Sequence, residues 1–196
     1  MKGFAFYWVL QSHKNVDAAC LGRGNRTVVN LSGSGFRICD VGMAANDFYV
    51  ENTESVNRVG KIILNVGTNE IKFFNSKAKN VSRTFWSPLA KLVKQLKSLF
   101  PNAQIVILCL LPMRIYYSYT AASIFYFNRL LYKICRNFGC IFYEDCFNHF
   151  LDYEGYDINS ELYRDKWHLN DAGLRILCRS LKYIVLNNLF NPNANF

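Results

Sequence analysis

The chain is expected to fold as an α/β protein, a three-layer α/β/α sandwich on a parallel five-stranded sheet. Three observations carry that expectation. Short apolar runs alternate with amphipathic stretches along the chain, the pattern of βαβ units. Polar loops rich in glycine, serine and asparagine follow the apolar runs, where a parallel sheet places its chemistry. The 196 residues, 51% of them hydrophobic, suffice for one well-buried core and are few for two.

The first expected strand is Phe4 to Leu10, aromatic and β-branched. Met1-Lys2 ahead of it mimics a secretory signal with Ala18 and Ala19 as cleavage point, but the run reads better as a buried strand. Further strands are expected at Thr27 to Leu31, Lys61 to Val66, Gln104 to Leu110 and Cys140 to Tyr143. Between them, Trp86 to Phe100 places Leu89, Leu92, Val93, Leu96 and Leu99 on one helical face and Lys91, Lys94 and Lys97 elsewhere. Ser123 to Phe138 and Asp171 to Leu186 repeat that pattern, the latter with Asn170 as its N-cap. Right-handed crossovers turn such a series into a doubly wound sheet with a crevice at its C-terminal strand ends. One domain is expected over 1–186, followed by an asparagine-rich tail, 187–196, that frays. The longest apolar run, Ala103 to Pro112, is strand-length and falls short of the roughly 20 residues of a membrane span.

Several chemistries are disfavoured by spacing. The seven cysteines form no Cys-x-x-Cys pair and read as reduced, mostly buried thiols of a cytoplasmic protein. His13, His149 and His168 lack ligand spacing and no phosphate loop occurs, so neither a metal nor another cofactor is expected. Asn25, Asn30 and Asn80 begin glycosylation triplets, which are discounted because Asn30 falls in an expected central strand. The sequence carries no signal for oligomeric state.

Charge is uneven. The formal net charge is +9, and from Arg58 to Arg136 thirteen lysines and arginines face one acid, Glu70. A basic face draws polyanions by counterion release, so nucleic acid or an anionic membrane is an open partner beside a merely solubilising role. The segment carrying Glu144, Asp145, Asp152, Glu154, Asp157 and Glu161 is acidic instead. Tyr116, Tyr117 and Tyr119 are expected to line the crevice or core rather than form a base-stacking platform.

The candidate chemistry starts at Asp165-Lys166-Trp167-His168. A carboxylate three residues before an imidazole, in a loop entering a helix, can hold one ring nitrogen while the other meets a reacting group. Ser12 follows the first expected strand, and a serine hydroxyl becomes a nucleophile only when a base such as His168 takes its proton. Attack on an acyl carbon creates an oxyanion, to which the Ser12 N–H, a glycine N–H and the Asn69 amide are candidate donors. Taken singly, each residue has a structural reading: Ser12 as an N-cap before Asn15 to Leu21, Asn69 as a turn residue, Gly33 and Gly35 as turn glycines, His168 as a loop histidine.

Together, these blocks resemble the SGNH (GDSL-type) hydrolases, named for a serine, a glycine, an asparagine and a histidine in four segments. Val28 to Gly35 is similar to the second block, with Gly35 on the oxyanion glycine; Ile63 to Glu70 is similar to the third; Asp165 to His168 matches the last. The resemblance covers about Phe4 to Leu186 and extends, in Val66-Gly67-Thr68-Asn69 and the ending His168 to Gly173, to SGNH-like domains of retroelements. The first block departs: the family has Gly-Asp-Ser where this chain has Leu10-Gln11-Ser12, and Glu70 stands where aspartate is usual. Losing the glycine burdens the turn, and losing the aspartate removes an ordering acceptor. The resemblance implies a flavodoxin-like sheet and a serine esterase acting on a small acyl ester, for example acetyl, through an acyl-serine. Its catalytic set would be Ser12, Gly35, Asn69, Asp165 and His168. The alternative is an inactive SGNH-like domain that binds nucleic acid or an acylated partner through its basic face.

Overall fold

The computed structural model describes residues 29, 31, 35–54, 56–72, 85–113, 118–155, 157–165 and 168–186. Within them lies an α/β arrangement around three parallel strands, β1 (Lys61–Leu64), β2 (Gln104–Leu108) and β3 (Ile141–Tyr143), in that order across the sheet. Lys61 pairs with Gln104 and Val106 with Ile141. Every residue of Lys61–Leu64 and of Ile105–Leu108 is buried. Neighbouring side chains on a strand point to opposite faces, so both faces of this sheet are covered, as in a three-layer α/β/α fold.

The helices, in chain order, are α1 (Ile38–Glu51), α2 (Thr68–Lys72), α3 (Ser87–Leu99), α4 (Ser118–Phe138), α5 (Asp145–Asn148) and α6 (Asp171–Leu186). The α1 helix lies against α3, and α3 in turn touches α4. Small residues make the first contact close: Gly42 and Ala45 are buried in α1, and Gln95 Nε2 of α3 donates to the Gly42 carbonyl at 2.9 Å. The α3 helix starts with Pro88 in its first turn, where the missing N–H costs nothing, and buries Leu89, Leu92, Val93 and Leu96. The α6 helix buries Leu177, Leu181 and Ile184 and packs beside α5 and the 3-10 turn Ser160–Leu162.

Sequence and structure differ in instructive places. The expected strand Phe4 to Leu10 lies outside the described residues, as does most of Thr27 to Leu31, of which Val29 and Leu31 carry no strand. The third strand stops at Leu64 rather than Val66, because the chain turns through Asn65 to Gly67 into α2. The fourth stops at Leu108 rather than Leu110: the Leu110 N–H donates to Asn128 Oδ1 at 2.7 Å and Asn128 Nδ2 donates to the Leu110 carbonyl at 3.1 Å, so a side chain replaces a neighbouring strand. The α4 helix begins at Ser118, ahead of the expected Ser123, whereas α6 keeps its expected bounds. Lys61, read from sequence as part of a basic surface, is 7% exposed, and its ammonium donates to the Ile184 carbonyl at 2.6 Å. Tyr116, Tyr117 and the tail 187–196 lie outside the described residues, and no side chain is described for Tyr119.

Gly67 makes the turn from β1 into α2 possible. Its φ is +111°, and a Cβ there would meet Phe85 Cε2 at 2.7 Å, a ring buried in the core. Gly67→Ala combines a backbone conformation that side chains resist with a clash, and is expected to cost about 2–4 kcal/mol, read as a lower urea midpoint at unchanged slope.

Candidate active site

Asp165 and His168 sit at the tip of a tightly closed loop. Tyr163 and Leu169 form an antiparallel bridge, and the Arg164 N–H donates to the His168 carbonyl at 2.8 Å. Within that tip, His168 Nδ1 lies 2.7 Å from Asp165 Oδ2 and 2.9 Å from Oδ1, while the His168 main-chain N–H donates to Oδ1 at 2.8 Å. The carboxylate thus fixes the imidazole through both ring and backbone, and a local three-residue spacing is enough to do it. Arg164 Nε stands 3.8 Å from Asp165 Oδ2 at an exposed position, a separation at which it adds little.

The loop is pinned on both sides. The Tyr163 hydroxyl donates to the Pro112 carbonyl just beyond β2, which ties the loop to the C-terminal edge of the sheet. Asn170 Oδ1 accepts from the Ala172 and Gly173 N–H groups at 3.0 and 3.1 Å, capping α6 as the sequence suggested, while its Nδ2 donates to the Glu161 carbonyl at 2.6 Å. Gly173 completes the phrase His168 to Gly173, since a Cβ there would collide with the Leu162 carbonyl oxygen. Tyr163 is a residue that sequence reasoning missed; burial pushes its phenol well above the usual range.

A second group forms at the C-terminal end of β1. Asn69, in the first turn of α2 and 8% exposed, donates Nδ2 to the Phe36 carbonyl at 2.7 Å. Phe36 follows Gly35, whose φ of +79° turns the chain into α1. The amide nitrogen carries two hydrogens, so the bond to Phe36 leaves a second donor on Asn69. The next residue, Glu70, accepts the Ile38 N–H at 2.7 Å through Oε1, and so holds the first amide of α1, which has no partner within its own helix, against α2. Of the candidate residues, the structure therefore joins Asp165 to His168 and Asn69 to the Gly35-Phe36 turn; Ser12 and Gly33 lie outside the described residues. Among the described residues, no three His, Cys, Asp or Glu side chains gather as a metal site, and no helix is long and apolar enough to cross a membrane.

Glu70 was legible only as a substitute for aspartate, yet its environment is specific. Oε2 is buried without a hydrogen-bond partner, and burial raises the carboxyl above its ordinary value of 4.5 despite the Ile38 N–H, which pulls it down. The folded chain then holds the Glu70 proton more tightly than the unfolded one. Its contribution to stability is greatest below pH 4.5 and is lost as pH rises through the raised value. Glu70→Gln keeps the acceptor for Ile38 and removes the charge, so the variant should gain on the wild type as pH rises from 4.5 through the raised value. Urea unfolding of both proteins across that range checks this; parallel curves would contradict it.

A parallel α/β sheet with an Asp–His pair beside its C-terminal edge is the architecture of a large class of α/β hydrolytic enzymes. This chain belongs to the GDSL-like lipase/acylhydrolase family, whose sequence model matches residues 3–181. Solved structures agree on the fold. Axe2, an acetylxylan esterase from Geobacillus stearothermophilus, superposes with a TM-score of 0.66 at 15% identity, covering 96% of this chain and 98% of its own. LAE5, an alpha/beta hydrolase enzyme from the metagenome of Lake Arreo, Spain, gives 0.62 at 13% identity, with 94% and 96% covered. A Streptococcus pneumonia protein provisionally assigned as a platelet activating factor gives 0.66 at 22% identity, with 93% and 83% covered. No curated relative matches the sequence.

Proposed function

We propose that the protein is a serine esterase that removes a small acyl group, such as acetyl, from an oxygen ester. The observation that carries the reading is the Asp165–His168 pair, bonded at 2.7 Å in a chain of an acylhydrolase family. With Nδ1 engaged by the carboxylate, Nε2 is the basic nitrogen of the neutral ring, suited to take a proton from Ser12 Oγ. Ser12 then attacks the ester carbonyl, and His168 returns the proton to the leaving alkoxide. Water, deprotonated by His168 in turn, cleaves the acyl-serine and releases the acid. Asp165 orients the imidazole and stabilises its cation. The Ser12 and Gly35 N–H groups and the second hydrogen of Asn69 Nδ2 are the donors assigned to the oxyanion.

Support for a small acyl group comes from what the acetylxylan esterase Axe2 is described as cleaving, carried to this chain as a reading and tested as one. A cytoplasmic setting is part of the same proposal, supported by Cys109, Cys135, Cys140 and Cys146 as buried free thiols. Burial pushes the Cys140 thiol up to about 11, so it is held protonated. The test is turnover of p-nitrophenyl acetate, butyrate and octanoate by the wild type and by Ser12→Ala. Hydrolysis that falls with chain length and vanishes in the variant is the expected result. Absence of turnover in a folded wild type, or full activity in Ser12→Ala, would overturn it.

A further inference from the structure

The longest helix among the described residues, α4, carries a surface that the hydrolase reading does not use. From Ile71 to Tyr143 the sequence has no aspartate or glutamate, and α4 lies wholly inside that span. Its outer face alternates rings and cations at helical spacing: Phe125 (65% exposed), Arg129, Tyr132 (46% exposed), Lys133 and Arg136, with Tyr126 alongside. The neighbouring α3 adds Lys94, whose ammonium lies 5.8 Å from the centre of the Phe138 ring, and the exposed Lys97. Beside this stripe, between α4 and β3, runs a groove of about 290 Å³ lined by Phe125, Arg129, Tyr132, Phe142, Glu144 and Phe147. Its rings stand at angles to one another, Phe125 to Phe147 at 52° and Tyr132 to Phe142 at 71°.

We propose that this α4 face binds single-stranded nucleic acid, with bases against the groove aromatics and phosphates on Arg129, Lys133 and Arg136. Charge complementarity selects a polyanion, because α3 and α4 carry cations and no acid, with Glu144 as the carboxylate that lines the groove. Exposed rings beside those cations select one whose π-faces are free to stack, which a duplex does not offer. An anionic membrane shares the charge argument, but acyl chains would leave the Glu144 carboxylate in the groove without a donor, whereas a base amino group can donate to it. The inference stands apart from the esterase reading, since none of these residues belongs to the proposed catalytic set.

The test is fluorescence anisotropy with labelled oligouridylate and oligothymidylate, using the full chain between about 50 and about 200 mM salt. Binding that weakens with salt is expected. Arg129→Gln/Lys133→Gln/Arg136→Gln should flatten the log–log salt slope by about 2, as three lost phosphate contacts on a single strand require. Phe125→Ala and Tyr132→Ala should each weaken binding about fivefold or more. Circular dichroism confirms folding, and Phe125→Ala, at the more exposed ring, keeps the stacking test open should Tyr132→Ala unfold. No binding at the lowest salt, binding unchanged in all three variants, equal affinity for duplex, or sedimentation with phosphatidylserine vesicles in place of oligonucleotide binding would each overturn the proposal.

Discussion

His168→Ala is expected to lower kcat for ester hydrolysis by about 10³- to 10⁴-fold with little change in KM, because the imidazole acts on the reacting atoms and contributes little to holding the substrate. Asp165→Asn should fall nearly as far. In the wild type the carboxylate accepts from the ring at 2.7 and 2.9 Å and from the His168 N–H at 2.8 Å. An amide keeps one acceptor but can present its N–H₂ to Nδ1, which favours the tautomer with the proton on Nε2, where Ser12 needs a base. Both variants should remain folded, since Asp165 and His168 are partly exposed and the loop is pinned independently by Asn170 and Tyr163. Steady-state kinetics beside circular dichroism checks the pair; a fall of less than tenfold in both would remove His168 from the role of base.

The largest structural effect is expected at Asn128. It is 7% exposed, and its side chain satisfies both the N–H and the carbonyl of Leu110 where the chain leaves β2. Asn128→Leu fills the space but strands two buried backbone groups, with an expected cost of about 2–5 kcal/mol. That is a large share of the roughly 5–15 kcal/mol that holds a domain of this kind together. Urea unfolding measures it, and a loss below about 1 kcal/mol would mean that water or another group takes over both bonds.

How much of this was legible in the sequence depended on the range of the forces involved. The α3 and α6 helices could be read because their apolar residues recur on one face and their ends carry local signals, Pro88 and Asn170. The α1 helix could not. Gly42 and Ala45 interrupt the buried face that Ile38, Val41 and Phe48 form, and its first turn is satisfied by Asp40 within the helix and by Glu70, 32 residues beyond Ile38. Strand ends failed for the same reason, as the partner of Leu110 lies 18 residues further on. Lys61 was misread because a charge at the start of a strand signals solvent, whereas here the buried ammonium bonds to the end of α6, 123 residues away.

The site follows the same rule. Asp165 and His168 are three residues apart, and their pairing could be anticipated from spacing alone. The bond from Asn69 to the Phe36 carbonyl spans 33 residues, so the sequence supplied both partners without joining them. Ser12, in the block that departs most from its family, lies outside the described residues, and its role rests on its place in the chain.

The central claim is that Ser12 is a nucleophile activated by His168, and covalent labelling tests it most directly. A fluorophosphonate transfers its phosphonyl group to an activated serine oxygen with loss of fluoride, and intact-mass and peptide mapping locate the adduct. One adduct per chain at Ser12, absent in Ser12→Ala and strongly slowed in His168→Ala, is the expected result. A folded protein that takes no label, or takes it at another serine, would contradict the account.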